Sequence, residues 1–111
     1  MDVAVADVIL FCERTIDGMR ICLDRLDDET VNAQPPLPEP NSPYQLVNHS
    51  LSAPEWWASH IICGYPTDRE RDGEFTSSGT VAELRGQAEA TVARLRELVP
   101  ELEAATELAE M

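Results

Sequence analysis

The chain has 111 residues, of which 43% are hydrophobic, and its 21 acidic against 8 basic side chains leave a formal net charge of −13. A chain of this length forms one small domain that can bury a core without disulfides or metals to hold it together. It contains no lysine, whereas phosphate backbones are bound by clustered Lys and Arg. Nucleic acid and anionic membranes are therefore excluded as expected partners, and no apolar run is long enough for a membrane span.

The location of the protein is predicted from its opening residues and its cysteines. The start, "MDVAVADVILFCERT", lacks the basic opening and small-residue cleavage site of a signal peptide, so we expect a cytoplasmic protein. Cys12 and Cys22 would lie about 15 Å apart on one helix, too far for a disulfide. Together with Cys63 they are expected to be reduced, partly buried thiols.

The first predicted helix covers about residues 2–26. Its apolar residues recur at alternating steps of four and three, which is typical of an amphipathic helix that packs on one side of a core. This stripe consists of Val5, Ile9, Cys12, Ile16, Met19, Leu23 and Leu26. A Pro-rich, acidic linker follows and is expected to wrap the bundle as a loop.

The second predicted helix covers about residues 43–63. Ser42 is a good N-cap, Pro43 suits the first helical position, and Gln45 completes a capping box. Pro54 should bend the axis, and Gly64 should end the helix. The predicted apolar face contains Leu46, Val47, Ala53, Trp57 and Ile61, and the opposite, polar side contains Asn48, Ser52, Glu55 and Ser59.

The third predicted helix covers about residues 80–99. It opens with a capping box from Thr80 to Glu83 and should end at Pro100. A short helical segment is expected over about residues 101–110. The predicted fold is all-α: an up-down helical bundle with three main helices and a short C-terminal helical segment in a single domain, residues 1–111.

The only two histidines, His49 and His60, are the candidates for metal chemistry. Both fall at one edge of the predicted apolar face, but they would stand about 16 Å apart along the helix axis. One zinc ion cannot take both, because zinc–nitrogen bonds are about 2 Å long. From the residues alone, a structural histidine at the edge of a core is the more frequent interpretation.

Two stretches carry a resemblance to a known family, over roughly residues 4–99. They are "LDDETVNAQPPLPEPNSPYQLVNHSLSAPEWW" and "DRERDGEFTSSGTVAELRGQAEATVARLREL". Four features carry this resemblance: the Asn-Ser helix entry, the histidine seven positions after that serine, the following Glu-Trp-Trp and the FTSSGTVAEL run. The chain resembles the DinB-like superfamily, closest to its actinobacterial branch related to the mycothiol-dependent enzymes.

The resemblance implies a four-helix bundle that binds one divalent metal, often zinc or nickel, through three histidines. The position that matches the ligand on the second helix is His49. The other two ligands come from a last helix with an H-x-x-x-H motif, which this chain does not contain. The metal activates a low-molecular-weight thiol such as mycothiol in several members, since a thiol bound to metal loses its proton readily.

The missing ligand helix leaves three explanations: a truncated relative, a chain that completes its bundle with another subunit, or a protein that has lost the metal. Two functional hypotheses follow. The first is a metal- and thiol-dependent transferase or isomerase relative with an incomplete metal site at His49, inactive as a single chain. The second is a non-catalytic interaction module that forms a homodimer or binds a partner chain. The second requires a continuous apolar groove along Leu46, Trp57, Leu84 and Leu95.

Overall fold

The computed structural model describes residues 4–38, 40–67, 69, 71–74 and 76–110, which contain helices and no strand. The fold is all-α, a helical bundle about 50 Å long and 26 Å wide. Its long elements are α1 (Val5–Leu23), α2 (Pro43–Glu55) and α4 (Val81–Glu110). A 3₁₀ turn covers Thr30–Asn32, a π-helical segment (Trp56–Ile62) continues α2, and α3 is a single turn (Arg71–Glu74).

Both predicted capping boxes are present. The Ser42 hydroxyl accepts from the Gln45 N–H at 3.1 Å, while the Gln45 side chain accepts from the Ser42 N–H at 3.0 Å. Thr80 and Glu83 make the same reciprocal pair at the start of α4. The second helical stretch ends as predicted at Gly64, whose positive φ of 78° favours a residue without a Cβ.

The core is centred on α4. Both α1 and α2 pack mainly against α4 and make little contact with each other. The buried residues of α1, Ile9, Ile16 and Leu23, all belong to the predicted stripe. The larger of two clusters contains Ile9, Ile16, Leu51, Ala58, Ala88, Val92, Leu95, Leu98 and Leu102; the smaller contains Leu23, Val31, Tyr44 and Leu84.

The predicted end of the third helix at Pro100 is wrong, because α4 runs without interruption from Val81 to Glu110. Proline in a helix interior removes one backbone hydrogen bond and crowds the preceding turn, at about 3 kcal/mol. Here Leu98 and Leu102, on either side of Pro100, are both buried in the larger cluster. Burying such side chains stabilises by about 1.5–3 kcal/mol each, so packing outweighs the penalty. The predicted short segment, residues 101–110, is thus the last part of α4.

The interaction-module hypothesis required a continuous apolar groove along Leu46, Trp57, Leu84 and Leu95, and these four side chains do not form one. Leu46 and Trp57 are 52% and 56% exposed, whereas Leu84 and Leu95 are buried in different clusters. An apolar groove of about 370 Å³ lies elsewhere, between α1 and the π-helical segment with α4 as its floor. Its lining includes Val5, Val8, Ile9, Cys12, Trp57, Ala58, Ile62, Leu95 and Leu102.

The linker after α1 is fixed to the start of α4 by hydrogen bonds from the side chains of Asn32 and Asp28. Asn32 donates through Nδ2 to the carbonyl oxygen of Gly79 at 2.7 Å and accepts from the Gly79 N–H at 3.1 Å. Asp28 accepts from the first N–H of α4, that of Val81, at 2.8 Å. These contacts confirm that the linker wraps the bundle. Within the described part of the chain, none of the helices has the length and apolar character needed to cross a membrane.

Candidate functional site

His49 lies on α2 and is held by a carboxylate from α3. Its Nδ1 is 2.9 Å from Oε1 of Glu74, a residue that is only 6% exposed. An ionised carboxylate can only accept hydrogen bonds, so the imidazole proton lies on Nδ1 and the lone pair of neutral His49 lies on Nε2. Metal-ligating histidines share this arrangement: one ring nitrogen binds the metal, and the other donates to a carboxylate or carbonyl group that orients the ring.

Glu74 is at the same time the partner of Arg69, whose side chain is 12% exposed. The Arg69 guanidinium donates through Nε to Oε2 at 2.6 Å and through Nη2 to Oε1 at 2.8 Å. This paired geometry is the strong form of an Arg–carboxylate contact. The Arg69 hydrogen bonds are the main cause that holds the pKa of Glu74 below its usual range, with a smaller contribution from His49 and with burial opposing both. Glu74 is therefore a permanent anion at neutral pH.

The residues around His49 do not fit a complete metal site in a single chain. Among the described residues no three His, Cys, Asp or Glu side chains converge on one point. Both oxygens of Glu74 already accept from the Arg69 cation, and a structural metal needs about four ligands while a catalytic one needs three protein ligands. The metal role of His49 consequently remains a prediction that depends on ligands from outside these residues.

A polar cleft of about 520 Å³ opens beside the His49–Glu74 pair. The predicted polar side of the second helix forms one wall, and the other wall is formed by Pro66, Thr67, Arg69, Gly73 and Glu74. Its lining consists of Asn48, Ser52, Glu55, Trp56, Ser59, His60, Pro66, Thr67, Arg69, Gly73 and Glu74. His49 itself is not part of this lining. The volume lies within the ordinary range for small-molecule sites.

A chain of hydrogen bonds supports the cleft from behind. Gln87 of α4 donates to the Asn48 side chain at 2.9 Å, and Asn48 donates to Ser77 at 3.1 Å. The Ser77 hydroxyl donates to the backbone carbonyl of Glu74 at 2.7 Å. The network joins α2, α3 and α4, so the polar wall has a defined geometry.

His60 lies in the cleft in a different setting from His49. Its Nδ1 is 2.7 Å from the carbonyl oxygen of Tyr65, which can only accept, so this ring also carries its proton on Nδ1. The ring is 5.9 Å from that of Trp56, and the Arg69 guanidinium lies 5.4 Å from the Trp56 ring on which it is stacked. A cation over an indole face is stabilising.

The π-helical segment presents Trp56 and His60 to this cleft. The π-helical geometry is shown by the Cys63 N–H, which donates to the carbonyl of Ala58, five residues earlier, at 3.2 Å. The segment begins two residues after Pro54, whose missing N–H and ring crowding disturb the α-helical ladder. Single π turns inside α-helices occur frequently at functional sites. The sequence predicted a bend at Pro54 but neither the π turn nor the cleft.

Comparison with known proteins identifies a family over most of the chain. The sequence profile of the DinB superfamily matches residues 12–110. This span includes His49, His60 and the whole lining of the cleft. No curated protein and no solved structure gave a significant match.

Proposed function

The chain belongs to the DinB superfamily, and we propose that it is a relative of the metal- and thiol-dependent transferases of this superfamily with an incomplete metal site. In this proposal His49 is one ligand of a divalent metal, zinc or nickel, and a low-molecular-weight thiol such as mycothiol is the cosubstrate. The observation that carries it is the 2.9 Å contact from Glu74 to Nδ1 of His49. That contact orients the imidazole ring in the way that carboxylates orient metal-ligating histidines.

The cleft beside this pair supports the thiol part of the proposal. It combines the indole of Trp56 with the hydroxyl groups of Ser52 and Ser59 and the amide of Asn48. Mycothiol joins a cysteine to a sugar and a cyclitol, and hydroxyl-rich rings pack on aromatic faces while their hydroxyl groups take hydrogen bonds. The actinobacterial affinity and the cytoplasmic location predicted from the sequence belong to the same proposal.

Metal content per chain tests the metal part. Inductively coupled plasma mass spectrometry after mild dialysis should find zinc or nickel in the wild type and much less in His49→Ala. Cys22→Ser is the matched control, because it removes an exposed thiol of α1 that could bind metal adventitiously. Equal metal in wild type and His49→Ala, or none in either, would refute a metal role for His49.

A specific observation favours the second candidate, a helical interaction module that forms a homodimer. Because α1 and α2 both pack on α4 and scarcely on each other, the place opposite α4 holds the apolar groove instead of a fourth helix. Its rim carries Trp57 and Ile62, 56% and 52% exposed, and α1 adds Val8 at 48%. Contiguous apolar surface of this kind marks interaction sites.

Sedimentation equilibrium tests the second candidate. A dimer through the groove should have twice the chain mass and should dissociate in Trp57→Glu, whereas Leu37→Glu, another exposed apolar residue (64%) that lies in the linker, should leave it intact. A monomer at all accessible concentrations would refute homodimerisation.

A further inference from the structure

The histidine that lines the cleft, His60, has a defined tautomer and a defined direction. Its Nδ1–H donates to the Tyr65 carbonyl at 2.7 Å, so neutral His60 carries its lone pair on Nε2. Among the described residues, no hydrogen bond engages this second nitrogen. The side chain lines the same cleft as Trp56 and Ser59. Imidazole exchanges protons near neutral pH, so a lone pair in a ligand-sized cleft is placed to accept a proton.

The charged groups around His60 come from three elements. Glu55 of α2 lines the cleft without a hydrogen bond or ion pair to any described residue. Arg69 and Glu74 on the opposite wall neutralise each other. Arg94 of α4 contacts Ser59 at 3.4 Å and stacks 4.8 Å from the Tyr65 ring, and it is paired with Glu97. Among the described residues that line the cleft, the Glu55 carboxylate is thus the one uncompensated charge, and it favours a cation nearby.

We propose that the cleft binds the low-molecular-weight thiol with its sulfhydryl group at Nε2 of His60, and that His60 removes the thiol proton. This inference rests on the proposed function for the identity of the ligand, but not on a metal at His49. The S–H bond breaks, its electron pair stays on sulfur, and the proton forms an N–H bond at Nε2. The products are a thiolate and an imidazolium, with no change of oxidation state.

Proton removal by His60 would activate the thiol, and the described residues offer no other group placed to do so. A thiol is mostly protonated at neutral pH, and only the thiolate is a strong nucleophile. The His49 region offers one imidazole and a carboxylate already paired with Arg69, which is too few ligands for a metal to act on the thiol. In the imidazolium form, His60 keeps its Nδ1–H bond to the Tyr65 carbonyl, and Glu55 shares the same wall.

The test uses the full chain with two probes, mycothiol and S-methyl mycothiol. Calorimetry measures the binding of each probe, and the ultraviolet absorbance of the thiolate measures deprotonation of bound mycothiol at neutral pH with a chelator present. The variant is His60→Gln, because glutamine keeps an N–H donor for the Tyr65 carbonyl but does not accept a proton near neutral pH. Circular dichroism confirms that the variant is folded.

We expect wild type to bind both probes and to form thiolate. We expect His60→Gln still to bind S-methyl mycothiol but to form at least roughly tenfold less thiolate, because a thiol without a neighbouring base is only a few per cent ionised at neutral pH. Equal thiolate in His60→Gln would overturn the inference while the proposed thiol ligand stands. Thiolate that disappears only when a chelator is added would overturn it in favour of a metal. Failure of wild type to bind either probe would instead refute the proposed thiol cosubstrate.

Discussion

Removal of the Glu74 carboxylate should destabilise the fold more than removal of any surface carboxylate. Glu74 is 6% exposed and accepts three hydrogen bonds, two from Arg69 and one from His49. Glu74→Ala leaves the Arg69 side chain, 12% exposed, without its counterion. Breaking a buried ion pair in this way costs about 3–5 kcal/mol. Because the pair borders an open cleft where water can rehydrate the guanidinium, we expect the lower end, about 3 kcal/mol.

The free energy of unfolding is measured in urea by circular dichroism and by the fluorescence of the two tryptophans. A loss of about 3 kcal/mol is a large part of the roughly 5–15 kcal/mol that stabilises a typical domain. At roughly 4 °C per kcal/mol, it lowers the Tm by about 12 °C. The control is Glu97→Ala, which removes the partner of Arg94 from an exposed pair and should change stability by less than about 0.5 kcal/mol.

The pH dependence of stability gives a second measurement on the same residue. Since the folded state holds the pKa of Glu74 below its usual range, the ionised carboxylate contributes stability above the ordinary glutamate pKa. That contribution is lost as the pH falls through the lowered pKa. Glu74→Gln should lack this part of the acid loss. If Glu74→Ala costs less than about 1 kcal/mol and Glu74→Gln has the same acid profile as wild type, the assigned role of the Arg69 pair is wrong.

Three further predictions concern the fold and use the same unfolding measurement. Gly79→Ala should destabilise the protein by about 1–3 kcal/mol, because a Cβ at this position would collide with Tyr44 and Glu83. The control Gly86→Ala should stabilise it by about 0.5–1 kcal/mol, since a Cβ there meets nothing within 4 Å. Equal effects of the two substitutions would refute the close approach at Gly79. Leu51→Ala should cost about 2–5 kcal/mol, and a similar cost for the 52% exposed Leu46 would contradict the assigned core. Pro100→Ala should stabilise α4 by up to about 3 kcal/mol, and destabilisation would mean that proline shapes the helix.

The local chemistry of the chain was sufficient to predict where α2 and α4 begin and which face of α1 is buried. It did not predict the buried face of α2, because Leu46, Trp57 and Ile61 of the predicted apolar face are exposed whereas Leu51 and Ala58 are buried. The Ser42 and Thr80 capping boxes act between residues three apart, and amphipathic spacing acts within one helix. Both signals depend on residues that are close together in the sequence, and the structure shows both capping boxes at the predicted residues. Family membership likewise followed from a contiguous pattern, and the superfamily match over residues 12–110 confirms it.

Tertiary packing alone decided the features that make up the candidate site. Leu98 and Leu102 keep α4 helical through Pro100 because both are buried, a gain that local propensity does not contain. Glu74 meets His49 across 25 residues of chain and meets Arg69 through a loop without periodicity. The polar side of α2 becomes a cleft only because Pro66, Arg69 and Glu74 lie opposite it. Hydrogen-bond and burial energies depend on which groups meet in space, and for these residues the sequence contains no short-range pattern from which the meeting could be predicted.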